Sequence, residues 1–146
     1  MKLFDVNVLV NAHRADAKHH QPCREFLDAT LESPAAFGLT PIVLSGFLRV
    51  STHARVFKTP TPLDDALEFV EALRAQPQTT LIEPGNRHWG IFTDLAIGAS
   101  ANGNLIPDAY LAAIAIESGA EWVSTDGDFA RFPGLTWIDP RISAAT

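Results

Sequence analysis

"KLFDVNVLVNAH", residues 2–13, opens with an apolar run too short for a helix and too uniform for a strand with one wet face. Lys2 to Val6 reads as a short buried strand with one carboxylate, Asp5, near its C-terminal end. From Val8 to Ala12 the spacing suits a helical turn. An aspartate within an apolar strand is costly unless it is paired or used. Asp5 is therefore the first candidate functional residue.

The same alternation continues along the chain. "HQPCREFLDATLES" spaces Phe26, Leu27 and Leu31 for an amphipathic helix, with Pro22 near its start. A further helix is expected from Thr40 as cap and Pro41 as first helical residue. In "TPTPLDDALEFVEALRAQP", Thr61 is expected to cap, Pro62 to open, and Leu67, Val70 and Leu73 to form the buried stripe. "TTLIEP" reads as a strand and "NRHWGIFTDLAIGAS" as a helix, with Trp89 and Phe92 expected in the core rather than as base-stacking platforms. "IPDAYLAAIAIESG" reads as an Ala-rich helix stopped by Gly119, "EWVST" as a strand, "DGDFARF" as a turn and short helix, and "LTWI" as a last strand. Short apolar strands alternating with helices mark a parallel sheet covered on both faces. In such sheets ligands sit beyond the carboxyl ends of the strands.

The 146 residues fit one domain, expected to span 1–146. The single cysteine, Cys23, excludes an internal disulfide and a Cys-based zinc site, and reads as an inert thiol. The longest apolar run falls short of a membrane span, and the N-terminus makes a poor signal peptide, so a cytoplasmic protein is expected. The net charge of −6 disfavours non-specific nucleic-acid coating. The charge is uneven, however: residues 1–58 hold seven Lys/Arg against five Asp/Glu, and residues 59–146 hold four against twelve.

Asp126 follows the "EWVST" strand, and Asp108 opens the "DAYLAAIAIE" helix. Together with Asp5, these carboxylates are placed to converge at the sheet's carboxyl end. Brought within about 4–6 Å they would raise one another's pKa, a penalty that a divalent cation removes. Hard oxygen donors suit Mg²⁺ or Mn²⁺, and such a centre activates water and neutralises a phosphodiester's developing charge. Asp128 is expected to cap the "FARF" turn instead. An EF-hand is excluded, because the twelve-residue loop and its later ligands are missing.

At these residues the chain resembles the PIN-domain ribonucleases, specifically the VapC toxins of type II toxin–antitoxin systems. "LFDVNVLVNA", "FLRVSTH", "GNLIPDAYLAAIAIESGA" and "VSTDGDFARFPGL" lie in that family's order, from residue 3 to about residue 138. The resemblance implies a PIN-like three-layer α/β/α sandwich with a central parallel sheet. It implies Mg²⁺- or Mn²⁺-dependent cleavage of RNA, of tRNA or rRNA type, by a toxin that forms a homodimer and is neutralised by a VapB-type antitoxin. Asp5, Asp108 and Asp126 match the family's first, third and fourth acidic residues. Asn7 matches the polar residue two after the first, and Thr125 the hydroxyl beside the fourth. The sequence departs from the pattern at Gly46, which stands where a second acidic residue is expected before "FLR". Ser45 would point about 100° away on a helix and is a poor substitute. The favoured reading is a site run on Asp5, Asp108 and Asp126 with more water ligands. The others are recruitment of Asp128, or weak catalysis by a domain that mainly binds.

RNA contact needs cations even on an acidic chain. Arg49, His53, Arg55 and Lys58 are the first candidates, and Arg14, Lys18, His19 and His20 form a second group. Two other functional classes stay open: an RNA- or partner-binding domain without turnover, and a haloacid-dehalogenase-like phosphatase. The phosphatase class wants an Asp where Asn7 stands and a later Lys.

Overall fold

The computed structural model describes residues 1–143, and the expected domain's last residues, 144–146, lie outside that range. Five short strands form one parallel sheet in the order β3-β2-β1-β4-β5: β1 (Lys2–Phe4), β2 (Phe37–Leu39), β3 (Thr79–Leu81), β4 (Glu121–Val123) and β5 (Trp137–Ile138). Among the described residues, seven helices connect or flank them: α1 (Val6–His13), α2 (His20–Glu32), α3 (Pro41–Ser51), α4 (Leu63–Arg74), α5 (His88–Gly98), α6 (Leu105–Ser118) and α7 (Pro140–Ser143). A 3₁₀ turn covers Gly127–Arg131.

The chain steps from β1 to β2 to β3 in one direction and then returns past β1 to β4. Right-handed crossovers put helices from the first leg on one face and α5 and α6 on the other. The packing follows suit: α1 lies on α2 and α3, and α5 on α6. Leu3, Phe4, Phe37, Trp122 and Val123 are fully buried between these layers, as continuous apolar strands require. The expected α/β/α sandwich is the observed fold. No helix among the described residues is long and apolar enough to cross a membrane.

The structure corrects several local expectations. Residues Phe37–Leu39 form a strand the sequence did not announce, since three residues carry no periodicity. The first helix begins at Val6, so Asp5 ends the strand and caps the helix in one step. Thr40 sits at the cap position of α3 without a side-chain cap bond. Thr61 caps nothing. Its hydroxyl turns inward to Arg14 Nη1 at 3.1 Å and His13 Nε2 at 3.2 Å, and Pro62 takes the cap position. Trp89 is 68% exposed, because α5 packs on α6 through Phe92 and Leu95 instead. Gly119 stops α6 in the left-handed region at φ 70°, where a side chain would be strained. Cys23 is buried, and that burial pushes its thiol up to about 11.

Candidate active site

The strand order reverses between β1 and β4, and a crevice opens there beyond their carboxyl ends. Asp5 leaves β1 at this point and its amide donates to Val123 O at 2.8 Å, which locks the two strand ends side by side. The crevice is a cleft of about 700 Å³, lined among others by Asp5, Asn7, Asn11, Lys18, Lys58, Asp108 and Asp126.

Asp5 is 7% exposed and its carboxylate is saturated with donors. Oδ1 accepts from Val6 N at 2.7 Å, and Oδ2 accepts from Ser124 Oγ at 2.7 Å and Asn7 Nδ2 at 3.2 Å. Asn7 also donates to Ser124 Oγ at 3.2 Å and accepts from Thr125 N at 3.2 Å, so it ties the ends of β1 and β4 together. Burial raises the Asp5 carboxyl from 3.8 to about 6, overriding the opposing hydrogen bonds from Ser124 and Val6.

Asp108 lies in the first turn of α6, four residues beyond the cap Asn104, and is half-buried. Burial again leads in raising it to about 6, and the neighbouring charges of Asp126, Asp5 and Asp128 add to the rise. Oxygens of Asp108, Asp126 and Asp128 all lie within 4.8 Å of one another. Asp5 lines the same cleft but stands outside that tight triad. Among the described residues, the triad's one ion pair is with Arg131, whose Nε is 3.6 Å from Asp128 Oδ1 on an exposed face. A converging set of hard oxygen donors without an internal counter-charge fits a divalent cation such as Mg²⁺ or Mn²⁺.

In "DGD" Asp126 keeps its expected place in the carboxylate cluster and also takes the cap expected of Asp128. Asp126 caps the 3₁₀ turn, accepting from Asp128 N at 2.9 Å through Oδ1, while Asp128 turns its carboxylate toward the triad. A cap must precede its helix, and the turn begins at Gly127, so only Asp126 stands in the right place. The hydroxyl of the site is likewise Ser124, not Thr125. Ser124 is fully buried, donates to Asp5 and accepts from Asp126 N at 3.0 Å, whereas Thr125 enters through its backbone. The signal for this was period two: Ser124 continues the strand onto the face where Trp122 points, and Thr125 does not.

The vacancy expected at Gly46 does not exist. A Cβ there would stand 2.7 Å from Val6 Cγ2, so α1 and α3 approach each other through this glycine. Gly46 does not line the carboxylate cleft. It lines a neighbouring apolar cleft with Val6, Ile42, Arg49 and Tyr110.

The candidate cations divide in the same way. Lys58 lines the carboxylate cleft, and so does Lys18 from the second group. Arg49 faces the apolar cleft and forms no ion pair among the described residues. His53 accepts from Arg55 N at 3.0 Å within a turn, and neither residue lines the cleft. His20 Nδ1 is held against Asn11 O at 2.8 Å, and His19 donates its amide to Asn11 Oδ1 at 2.9 Å. Arg14 is engaged by Asp16 and lies 4.0 Å above the Phe57 ring, so its charge supports a cleft wall.

A PIN domain family model matches residues 2–135. Ribonuclease VapC43 of Mycobacterium tuberculosis is 48% identical over 140 residues, covering 96% of this chain and 95% of its own. Ribonuclease VapC25 of the same organism is 44% identical over 142 residues, covering 97% and 100%. Among solved structures, VapBC2 from Rickettsia felis bound to a promoter DNA fragment aligns with a TM-score of 0.68 at 18% identity, covering 94% of this chain and 96% of that one. VapBC-1 from nontypeable Haemophilus influenzae aligns with a TM-score of 0.68 at 15% identity, covering 96% and 98%.

Proposed function

The chain belongs to the PIN-domain family, among the VapC ribonucleases, and from that membership we propose a metal-dependent endoribonuclease toxin acting in the cytoplasm and neutralised by a VapB-type antitoxin. The observation that carries this reading is the meeting of Asp5, Asp108 and Asp126 in one cleft at the switch point of a parallel sheet, with Asp128 grouped beside Asp108 and Asp126. Relatives named ribonucleases support the activity, and neighbours solved as VapBC complexes support the partner. A homodimer is part of the same proposal.

Asp108, Asp126 and Asp128 would hold Mg²⁺ or Mn²⁺, with Asp5 as a further ligand from the same cleft. When bound, the ion lowers the pKa of water and neutralises charge on a phosphodiester. The chain's own groups do the rest. Ser124 and Asn7 fix the Asp5 carboxylate by hydrogen bonds, so its orientation does not have to be bought at the moment of reaction. Asp126 uses Oδ1 for its cap. Lys18 and Lys58 stand at the wall, where phosphates flanking the scissile bond of an RNA strand would pass. Neither the binding-domain reading nor the phosphatase reading gains an observation of its own. Asn7, where a phosphatase would need its second Asp, is committed to holding β1 to β4.

Proton release tests the metal site directly. Asp5 and Asp108, both raised to about 6, are each about half protonated at pH 6 in the metal-free protein and must shed those protons to ligate. Calorimetric titration with Mn²⁺ in two buffers of different ionisation heat is expected to show about one proton released per ion at pH 6, and almost none at pH 8. Affinity is expected to weaken as pH falls through 6. Binding without proton release at pH 6 would remove Asp5 and Asp108 from the site.

A further inference from the structure

The loop between β4 and the 3₁₀ turn carries Asp126, and its backbone is held from two sides. On the inner side, Ser124 Oγ accepts from Asp126 N, and Asn7 Oδ1 accepts from Thr125 N. On the outer side, two carbonyls receive side-chain donors from the C-terminal segment. Trp137 Nε1 donates to Ser124 O at 2.9 Å, and Arg141 Nη2 donates to Thr125 O at 2.8 Å. Both donors lie beyond residue 135, where the PIN family match ends.

Arg141 is not a loose surface cation. Its guanidinium is forked onto Asp139, with Nη2 at 2.7 Å from Oδ2 and Nε at 3.0 Å from Oδ1. Asp139 also accepts Arg141 N at 3.0 Å, so one largely buried carboxylate caps α7 and aims the guanidinium. The hydrogen bond to Asp139 in turn holds that carboxyl below its usual range. α7 packs against α2, which anchors the segment on the body of the protein. The outcome is a fixed donor pair pressed on the loop immediately before a candidate metal ligand.

We propose that Trp137 and Arg141 are positioning residues for the carboxylate site, forming a C-terminal latch that sets the loop bearing Asp126. The proposal rests on the reading of Asp126 as a ligand. Outer-shell partners of ligating groups typically change metal affinity by about 10–100-fold when removed. The latch acts on the ligand's backbone rather than its carboxylate, so its loss is expected near the lower end, about tenfold in Mn²⁺ affinity.

The test uses the full chain with Arg141→Ala, Arg141→Lys and Trp137→Phe, the last keeping an aromatic six-membered ring while removing the pyrrole ring that carries the N–H. Hydrogen exchange reads the latch without any metal. Amides of residues 124–128 are expected to lose protection by about tenfold in Arg141→Ala and Trp137→Phe, with β1 and β4 unchanged. Arg141→Lys should restore part of it. Unchanged protection in both deletion variants would overturn the latch. Mn²⁺ titration then reads its consequence. Weaker affinity with cleavage recovered at high Mn²⁺ supports positioning. Lost loop protection with unaltered Mn²⁺ affinity would reduce the latch to a structural clasp and overturn the proposal. If the wild-type chain binds no Mn²⁺ at all, the nuclease reading fails, and with it the positioning role, whatever the exchange data show.

Discussion

Asp108→Asn is expected to abolish most RNA cleavage and, at the same time, to make the metal-free protein more stable at pH 7–8. The loss should be on the order of 10³-fold, the equivalent of about 4 kcal/mol of transition-state stabilisation, because a ligand to the ion is gone. The gain follows from the carboxyl's raised pKa. Burial and the charges of Asp126, Asp5 and Asp128 oppose ionisation of Asp108, so at neutral pH the folded chain carries a charge it would rather not hold. Its sign is fixed by linkage. Between pH 4 and 6 the folded chain keeps a proton that the unfolded chain has released, so the favourable contribution is complete below about pH 4 and is lost as pH rises through 6. Asn carries no such penalty. Unfolding in the presence of a chelator should therefore show the variant above wild type at pH 8, with the two converging toward pH 4. A variant that is less stable than wild type at pH 8, or a difference that ignores pH, would contradict the assignment. Function maintained at a cost in stability is what a ligand cluster without its ion should look like.

Gly46→Glu restores the side chain that the family pattern leads one to expect, and the structure predicts damage rather than repair. The new Cβ would meet Val6 Cγ2 at 2.7 Å. Val6 is β-branched and sits in the first turn of α1, where one χ1 rotamer is strongly preferred, so it yields only at a cost. Either α1 or α3 has to move, and Asp5 is the residue before Val6. Overpacking of this kind costs typically about 1–3 kcal/mol, and replacing a helical glycine returns up to about 1 kcal/mol of it. A net loss of about 2 kcal/mol corresponds to a fall in Tm of roughly 6 °C for a chain of this length. Mn²⁺ affinity should weaken, since Asp5 shifts with α1. Thermal unfolding and metal titration of Gly46→Glu and of Val6→Ala/Gly46→Glu check this, with the double variant recovering most of the lost Tm. An unchanged Tm with tighter metal binding in the single variant would mean that the position opens onto the ion after all.

The parallel sheet covered by helices and the three separated aspartates were legible because each rests on a local pattern. A short apolar run ending in Asp5, a helix opening near Asp108, and a strand followed by Asp126 need no knowledge of distant contacts. The residues that were misread all depend on which neighbour fills a space. Gly46 looked like a missing ligand because the family pattern has an acidic residue there, and Val6 across from it was not legible. Asp128 was given the cap that Asp126 takes, because the start of the 3₁₀ turn is not legible in the sequence. Arg49 stood with Lys58 among the first candidate cations and Arg14 in the second group, yet Arg14 stacks on Phe57 and Arg49 faces the apolar cleft. The strand Phe37–Leu39 and helix Pro140–Ser143 are three and four residues long, too short for periodicity to register. They owe their form to partners in the sheet and on α2.

The central claim is that carboxylates in this cleft use a divalent ion to direct water at an RNA phosphodiester. Its most direct test is the chemistry of the product ends. Purified protein and RNA are incubated with Mg²⁺, with excess chelator, and with chelator followed by Mn²⁺, and the fragment termini are read by enzymatic end-labelling and mass. Attack by water predicts fragments without 2′,3′-cyclic phosphate, formed only when the ion is present and absent with Asp108→Asn. Cleavage that survives the chelator, or that leaves cyclic phosphate ends from attack by the RNA's own 2′-hydroxyl, would contradict the account.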